Sequence, residues 1–193
     1  MDRLERAASA IRAGELVVYP TETVYGLGAN ALDPGAVSRV FDVKRRSRKK
    51  PLSIAVPDVE TALEYVEPTD RELAFMHAFL PGPVTVIVER RPIVPPIVTG
   101  GRDRIGVRIP DHELAHALLE LAAPITATSA NVSGAPSVRR ITDLDPHVRE
   151  SVATVLDGGE TDGTASTVVD VASGRLHRRG ANADDVEAWL DTH

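Results

Sequence analysis

The sequence contains no cysteine, so disulfide bonds, a thiol nucleophile and sulfur-ligated metals are all excluded. It also lacks any apolar run that approaches the roughly 20 residues a membrane-spanning helix requires. The first six residues are mostly charged and no long apolar segment follows them, which argues against a secretory signal peptide. We therefore expect a soluble, cytoplasmic protein that makes no contact with a membrane.

Motifs that would define the commonest nucleotide and hydrolase sites are missing as well. There is no G-x-x-x-x-G-K sequence and no convincing G-x-G-x-x-G sequence, which argues against a P-loop or a Rossmann site. Because there is no G-x-S-x-G elbow, a hydrolase triad has no support. The net charge of −6 argues against a general nucleic-acid-binding protein, since sequence-independent affinity for phosphate backbones requires an extended basic face.

Lysine is scarce, and its distribution is the most informative feature of the composition. All three lysines lie in the stretch Lys44-Arg45-Arg46-Ser47-Arg48-Lys49-Lys50, which carries six positive charges in seven residues. Outside this stretch, 16 basic residues face 28 acidic ones. A cationic island in an acidic chain predicts a site for a small polyanion such as a nucleoside triphosphate, with Lys44, Arg46 and Lys50 directed at its phosphates. A solvated loop, or cations that balance a helix C-terminus, is the alternative.

Helix and strand signals alternate along the chain and predict one α/β domain over residues 1–193. Helix signals include an N-cap at Asp33 and a capping-box pair formed by Thr69 and Glu72. We predict a further helix that Asp111 caps and that runs through residue 121. The predicted strands cover residues 16–19, 52–56, 84–88, 104–109, 125–128, 152–156 and 167–171.

The turns after predicted strands are rich in hydroxyl groups and glycine. In open α/β sheets, ligands gather at strand ends, where backbone amides and loop side chains converge. In the turn Ser129-Ala130-Asn131, hydroxyl, amide and free backbone N–H groups offer an anion cradle. An ordinary polar turn is the alternative. Four loops are therefore candidates for a site: residues 20–28, 44–50, 128–134 and 157–166.

The segment His112-Glu113-Leu114-Ala115-His116 spells H-E-x-x-H, the helix signature of zinc peptidases. Two histidines four residues apart can bind Zn²⁺ with the intervening glutamate as base. Here the motif starts two residues after Pro110, and the apolar stripe of Leu114, Leu118 and Leu121 lies nearly opposite the histidines. We expect both histidines to face solvent, and a zinc metallopeptidase stays as a minor alternative.

Seven short segments are specific in combination, although each is weak alone. They are residues 14–28, Lys44-Arg45-Arg46 with 51–52, 81–85, 107–110, Ser129-Ala130-Asn131, 166–170 and 178–180. Over nearly the whole chain, they resemble the YrdC-like threonylcarbamoyl-AMP synthase family. The resemblance implies a single YrdC-like domain in which a twisted, mixed β-sheet is flanked by helices around a large positively charged cavity.

The resemblance also implies a reaction, that of a nucleotidyltransferase. L-threonine, bicarbonate and ATP would give threonylcarbamoyl-AMP and pyrophosphate, with Mg²⁺ as the companion of ATP and no metal ligand from protein side chains. Fixed cations and N–H donors would stabilise charge on the departing pyrophosphate, so no nucleophilic side chain is needed. A downstream tRNA threonylcarbamoyltransferase complex would then modify an adenosine of tRNA, which implies weak or indirect tRNA contact here.

Roles for individual residues follow from the same resemblance, position by position. The K-x-R and S-x-N elements supply the implied catalytic residues Lys44, Arg46, Ser129 and Asn131. Positions that contact the nucleotide in the family are Arg46, Lys50, Arg104, Ser129, Ser137 and Arg178. Positions that hold threonine are Thr23, Arg108, Ala127 and Ser166, of which Arg108 suits the carboxylate.

Three departures from the family pattern affect these expectations. Some relatives carry a histidine near the position of Ala55, so we expect a looser threonine pocket here. Ser47 stands where a proline often follows the K-x-R element. Longer relatives add a linker and a second domain, and without these we expect faster loss of the intermediate to water. A paralogue that binds nucleotide or RNA without catalysis is the alternative within the fold.

Overall fold

The computed structural model describes residues 2–193, and within them ten strands form two sheets. The smaller sheet contains β1 (Val17–Tyr19), β2 (Gly26–Gly28) and β8 (Thr154–Val155). β1 lies in the middle, antiparallel to β2 and parallel to β8. Every residue of β1 and β2 is buried, so this sheet is an internal part of the fold.

Seven of the strands in the described residues form the larger sheet, which is mixed. They are β3 (Ser53–Ala55), β4 (Val66–Glu67), β5 (Val84–Arg90), β6 (Arg104–Arg108), β7 (Ile125–Ala127), β9 (Thr167–Asp170) and β10 (Arg175–Arg178). The order is β10-β9-β5-β6-β3-β7, and β4 pairs with β5 outside this path. β3 and β6 are parallel, as are β5 and β9, whereas the other pairs are antiparallel. The predicted α/β fold with a twisted, mixed sheet is confirmed.

Two helices begin at the N-caps that the sequence predicts. The Asp33 carboxylate accepts from the N–H of Gly35, and Thr69 and Glu72 form a reciprocal capping box. No helix within residues 2–193 is long and apolar enough to cross a membrane. The helices are α1 (Arg3–Arg12), α2 (Pro34–Val43), α3 (Val59–Ala62), α4 (Asp70–Phe79), α5 (Pro96–Thr99), α6 (Glu113–Ala122), α7 (Pro146–Glu150) and α8 (Ala183–Thr192), with a 3₁₀ turn at Ile141–Asp143.

All seven predicted strands are present, although β5 runs two residues further, to Arg90. The sequence analysis missed β2, β4 and β10. β2 was missed because glycine is depleted in strands. Its glycines are required by the ring of Tyr19: a Cβ at Gly26 would lie 2.8 Å from Tyr19 Cζ, and one at Gly28 would lie 3.1 Å from Tyr19 Cε1.

The predicted start of α6 is wrong, and its predicted buried face is right only at Leu118. Its N-cap is His112 rather than Asp111, and no side-chain capping bond is formed there. The buried residues are Ala115, Leu118 and Leu119, whereas Leu121 is 45% exposed. α6 packs against α1, and close helix packing favours small residues on the contact face. A stripe drawn through large apolar residues alone therefore misses Ala115, which lies on the buried face.

Strand register places two rows of side chains on one face of the larger sheet. One row consists of Ile87, Gly106, Ser53 and Ala127, which pair in that order. The neighbouring row consists of Val168, Thr85, Arg108 and Ala55. Because successive residues alternate between the faces of a sheet, the two rows project to the same side. The alternate residues, such as Val86 and Val107, belong to the main hydrophobic core.

Candidate active site

A cavity of about 470 Å³ lies over this face of the larger sheet. All four loops singled out from the sequence contribute to its lining, through Thr21 and Thr23, Arg46, Ser129, and Ser166. Strands β3, β5, β6, β9 and β10 contribute as well. Turns that are far apart in the sequence therefore meet in one concavity.

Most of the predicted site residues line this cavity. Three of the twelve do not: Lys44 and Asn131 are buried outside the lining, and Lys50 is exposed. The roles of all twelve remain predictions. The nine that line the cavity are Thr23, Arg46, Arg104, Arg108, Ala127, Ser129, Ser137, Ser166 and Arg178.

The sequence analysis missed lining residues that lie inside strands. A signal existed for four of them: Ser53, Thr85 and Asp170 interrupt apolar strand runs, and Gly106 interrupts β6. A polar residue or a glycine within a buried strand indicates a close approach of something other than core. No such signal marked Tyr19, Ile87 or His177.

Arg108 is fixed at the end of the cavity predicted to hold threonine. Its Nη2 donates to Glu22 Oε1 at 2.7 Å and to Thr23 Oγ1 at 3.2 Å, and its Nη1 donates to the carbonyl oxygen of Gly82. Thr23 Oγ1 also lies 2.9 Å from Thr21 Oγ1. The guanidinium is therefore preorganised, although part of its charge is already compensated by a carboxylate.

Arg178 approaches the same end from β10. Its Nε donates to the Ser166 carbonyl oxygen and its Nη2 to the Ser166 hydroxyl, both at 2.8 Å. The Ser166 hydroxyl in turn lies 3.0 Å from the hydroxyl of Thr85. Burial, and then the charges of Arg108 and Arg46, lower the pKa of Arg178. The guanidinium groups of Arg108 and Arg46 thus repel that of Arg178, and a bound anion would relieve this repulsion.

Arg46 and Arg104 differ in how their charges are compensated. Arg46 donates to the carbonyl oxygens of Lys50 and Pro51, and burial lowers its pKa. Arg104 Nη2 instead donates to Glu72 Oε1 at 2.6 Å and to Asp170 Oδ1 at 3.1 Å. Among the described residues, Arg46 and Arg178 therefore line the cavity without a carboxylate partner, as does the exposed Arg102. The overall positive character of the cavity stays a prediction.

Lys44 and Asn131 lie behind the cavity wall. The Lys44 ammonium donates to the carbonyl oxygens of Ser129 and Asn131, at 2.5 and 2.7 Å. Asn131 Oδ1 accepts from the Ser129 hydroxyl, and Asn131 Nδ2 donates to the Ala135 carbonyl oxygen at 2.5 Å. Burial, and then the charge of Arg46, lower the pKa of Lys44 from 10.5 to about 8.

This buried ammonium makes stability depend on pH. Because the pKa of Lys44 is about 8 when folded and 10.5 otherwise, only the unfolded chain keeps the proton between these values. The free energy of unfolding should therefore rise with pH there, by about 2 kcal/mol between about pH 7.5 and 9.5. Urea denaturation of the wild type and of Lys44→Met measures the effect. Stability that changes equally with pH in both proteins would contradict it.

Gly106 forms a trough in the sheet beneath the cavity. A Cβ at this position would lie 2.9 Å from Thr85 Cγ2 and 3.1 Å from Ser53 Cβ, so a side chain must displace its neighbours or fill the cavity. If the cavity holds the threonine that the resemblance implies, Gly106→Val should lower kcat/KM for threonine by about tenfold or more. Gly35→Ala, at the start of α2, is the control and should leave turnover unchanged. Equal activity of Gly106→Val and the wild type would show that the trough is not used.

Ala55 does not line the cavity. It is fully buried in a cluster with Tyr19 and Ile125, and of these three residues only Tyr19 reaches the lining. Any effect of Ala55 on the cavity would have to act through neighbours such as Tyr19 or Arg108, its register partner on β6. The looser pocket expected from Ala55 stays a prediction.

The H-E-x-x-H segment shows no metal site. The expectation that both histidines face solvent is right for His116, whose Nδ1 lies 3.6 Å from Glu120 Oε1 on an exposed face. It is wrong for His112, whose Nδ1 is buried without a hydrogen-bond partner among the described residues. In residues 2–193, no group of three or more histidine, cysteine, aspartate or glutamate side chains could hold a metal ion. The structure therefore offers the zinc metallopeptidase alternative no support.

Comparison with known proteins identifies the class that this fold and cavity represent. The model of the Sua5/YciO/YrdC family, described as telomere recombination, matches residues 9–180. The chain belongs to this family, as the resemblance of its motifs predicted. The crystal structure of P. abyssi Sua5 complexed with L-threonine superposes with a TM-score of 0.86 at 40% identity, over 95% of this chain and 56% of that one. E. coli YciO, with a TM-score of 0.81 at 24% identity over 92% of this chain and 89% of that one, supports the fold alone.

Curated relatives within the family carry the name threonylcarbamoyl-AMP synthase. The protein of Pyrococcus abyssi is 44% identical over 173 residues, which is 88% of this chain and 51% of that protein. The protein of Bacillus subtilis is 36% identical over 195 residues, covering 97% of this chain and 56% of that protein. The protein of Vibrio parahaemolyticus is 33% identical over 93% of this chain and 100% of its own length. The chain thus spans about half the length of the first two relatives.

Proposed function

We propose that this protein is an L-threonylcarbamoyladenylate synthase, a nucleotidyltransferase that converts L-threonine, bicarbonate and ATP to threonylcarbamoyl-AMP and pyrophosphate. One observation carries the proposal: a single cavity contains Thr23 and Arg108, predicted to hold threonine, together with Arg46, Ser129 and Arg178, predicted to hold the nucleotide. The names of the relatives and the L-threonine complex of P. abyssi Sua5 support it.

In the proposed reaction, Arg108 binds the carboxylate of threonine. The threonine amine attacks bicarbonate with loss of water, or attacks CO₂ formed from bicarbonate with loss of a proton, and either route gives a carbamate. A carbamate oxygen then attacks the α-phosphorus of ATP. The bond from the α-phosphorus to the β-phosphate oxygen breaks, and pyrophosphate leaves. Arg46 and Arg178, which have no carboxylate partner among the described residues, stabilise the charge on the phosphates. No side chain needs to act as a nucleophile.

Magnesium enters this proposal as part of the nucleotide substrate. The acidic residue in the cavity lining is Asp170, and its Oδ1 already accepts from Arg104. No cluster of three or more potential metal-binding side chains was found in the described part of the chain. Phosphate oxygens and water would therefore supply most of the magnesium ligands.

Residues 1–193 act as one domain, since one buried cluster contains Val18 of the smaller sheet and Val86 of the larger sheet. The reaction takes place in the cytoplasm, and a downstream tRNA threonylcarbamoyltransferase complex consumes the product. The excess of acidic residues outside the basic stretch supports weak or indirect tRNA contact.

An assay of pyrophosphate release tests the proposed function. Purified protein is supplied with magnesium, ATP, bicarbonate and each amino acid in turn. We expect release that requires both threonine and bicarbonate. Release that is indifferent to either would contradict the proposal. Nucleotide binding without turnover would favour a non-catalytic paralogue, and tRNA affinity that falls steeply with salt would favour an RNA-binding one.

A further inference from the structure

We infer that Lys44 is a positioning residue, which holds the Ser129-Ala130-Asn131 turn from behind the cavity wall and does not itself contact the nucleotide. Its catalytic consequence rests on the proposed function, but its geometry does not. Lys44 is 2% exposed and lies outside the cavity lining, and its ammonium donates to two backbone carbonyl oxygens. A phosphate ligand would need an ammonium that opens into the cavity.

The backbone at the C-terminal end of α2 places Lys44 and Arg46 on opposite sides of the cavity wall. The N–H of Arg46 donates to the Phe41 carbonyl oxygen at 2.9 Å and the N–H of Arg45 to that of Asp42 at 3.0 Å, which is the Schellman pattern. Arg45 has a φ of 49°, in the left-handed region. The chain therefore turns sharply between the two cations, so the K-x-R spacing separates a cation in the wall from one in the cavity.

The turn that Lys44 holds carries the hydroxyl of Ser129 to the cavity. One ammonium binds the carbonyl groups at both ends of the turn, and the Lys44 carbonyl oxygen accepts from the N–H of Ser133 at 2.9 Å. Asn131 Oδ1 accepts from the Ser129 hydroxyl. The orientation of this hydroxyl thus depends on Asn131, and the position of Asn131 depends on Lys44.

Amine labelling of the wild-type protein tests where the ammonium lies. The chain has only three lysines, and Lys49 and Lys50 are exposed internal controls. Near pH 8, the lowered pKa leaves part of the buried Lys44 amine unprotonated, so its protection would reflect inaccessibility rather than protonation. After treatment with an acetylating reagent and peptide mapping, we expect modified Lys49 and Lys50 and protected Lys44, with or without ATP. Modification of Lys44 in the free protein that ATP prevents would overturn the inference.

A double-mutant cycle tests whether Lys44 acts through Ser129. Lys44→Met and Ser129→Ala should each lower kcat for pyrophosphate release by about 100-fold. The double variant should lose little more than either, because both changes remove the same hydroxyl from its place. Thermal unfolding checks that each variant is folded.

Losses that multiply in the double variant would show independent roles and overturn the inference. If Lys44→Met does not fold, the labelling result still decides whether Lys44 faces the cavity. If the wild type shows no threonine-dependent turnover, the proposed function fails instead. The labelling result is unaffected by that failure, so the two outcomes are distinguishable.

Discussion

Arg46→Ala is expected to lower threonine- and bicarbonate-dependent pyrophosphate release by about 100- to 1,000-fold. Arg46 lines the cavity, and its guanidinium donates to the carbonyl oxygens of Lys50 and Pro51 at 3.3 and 2.9 Å. Within the described residues no carboxylate neutralises it, so its charge is available to a bound polyanion. The truncation removes a fixed positive charge from the place where negative charge develops, and a coupled pyrophosphate assay measures the loss.

Arg48→Ala is the matched control from the same basic stretch. Arg48 donates to Ser38 Oγ at 2.7 Å and Asp42 Oδ1 at 2.8 Å, on the exposed side of α2. Because exposed ion pairs contribute little, we expect turnover within about twofold of the wild type. Equal losses in the two variants would mean that the stretch acts as a diffuse positive field. That result would contradict a specific role for Arg46.

The main strands of the larger sheet could be predicted because their information is local. The run 84–88 is rich in β-branched residues, as expected of a strand buried on both faces. β2 could not be predicted in this way, because its glycines Gly26 and Gly28 are explained by close contact with the ring of Tyr19 on the neighbouring strand. The face of α6 escaped prediction for the same reason, since α1 decides which small residues it buries.

The candidate site shows the same contrast between local and long-range information. Charge density located the basic stretch beside the cavity, but it could not show which of its cations line the cavity. Which cations line the cavity depends on the left-handed backbone conformation of Arg45. Residues other than glycine rarely adopt this conformation, so the sequence alone did not indicate it. Thr85 and Gly106 likewise lie in ordinary strand positions, and only the loops that cover the sheet turn their face into a cavity.

Arg108→Met is expected to destabilise the fold as well as abolish threonine-dependent turnover. Arg108 is 5% exposed and donates to Glu22 Oε1 at 2.7 Å. Its loss would leave the largely buried carboxylate of Glu22 uncompensated, and Glu22 Oε2 already lacks a partner within residues 2–193. Removing one member of a buried ion pair costs about 3–5 kcal/mol, which chemical denaturation measures.

Adding Glu22→Gln to Arg108→Met separates stability from chemistry. The double variant should recover part of the lost stability, because no uncompensated charge remains buried. Turnover should stay absent, since the threonine carboxylate then lacks the Arg108 guanidinium. Arg91→Met, which breaks an exposed pair with Glu67 at 2.8 Å, should cost only about 1 kcal/mol and leave turnover intact. Recovery of activity in the double variant would contradict carboxylate binding by Arg108. An unchanged free energy of unfolding in Arg108→Met would show that the ion pair between Arg108 and Glu22 is not desolvated.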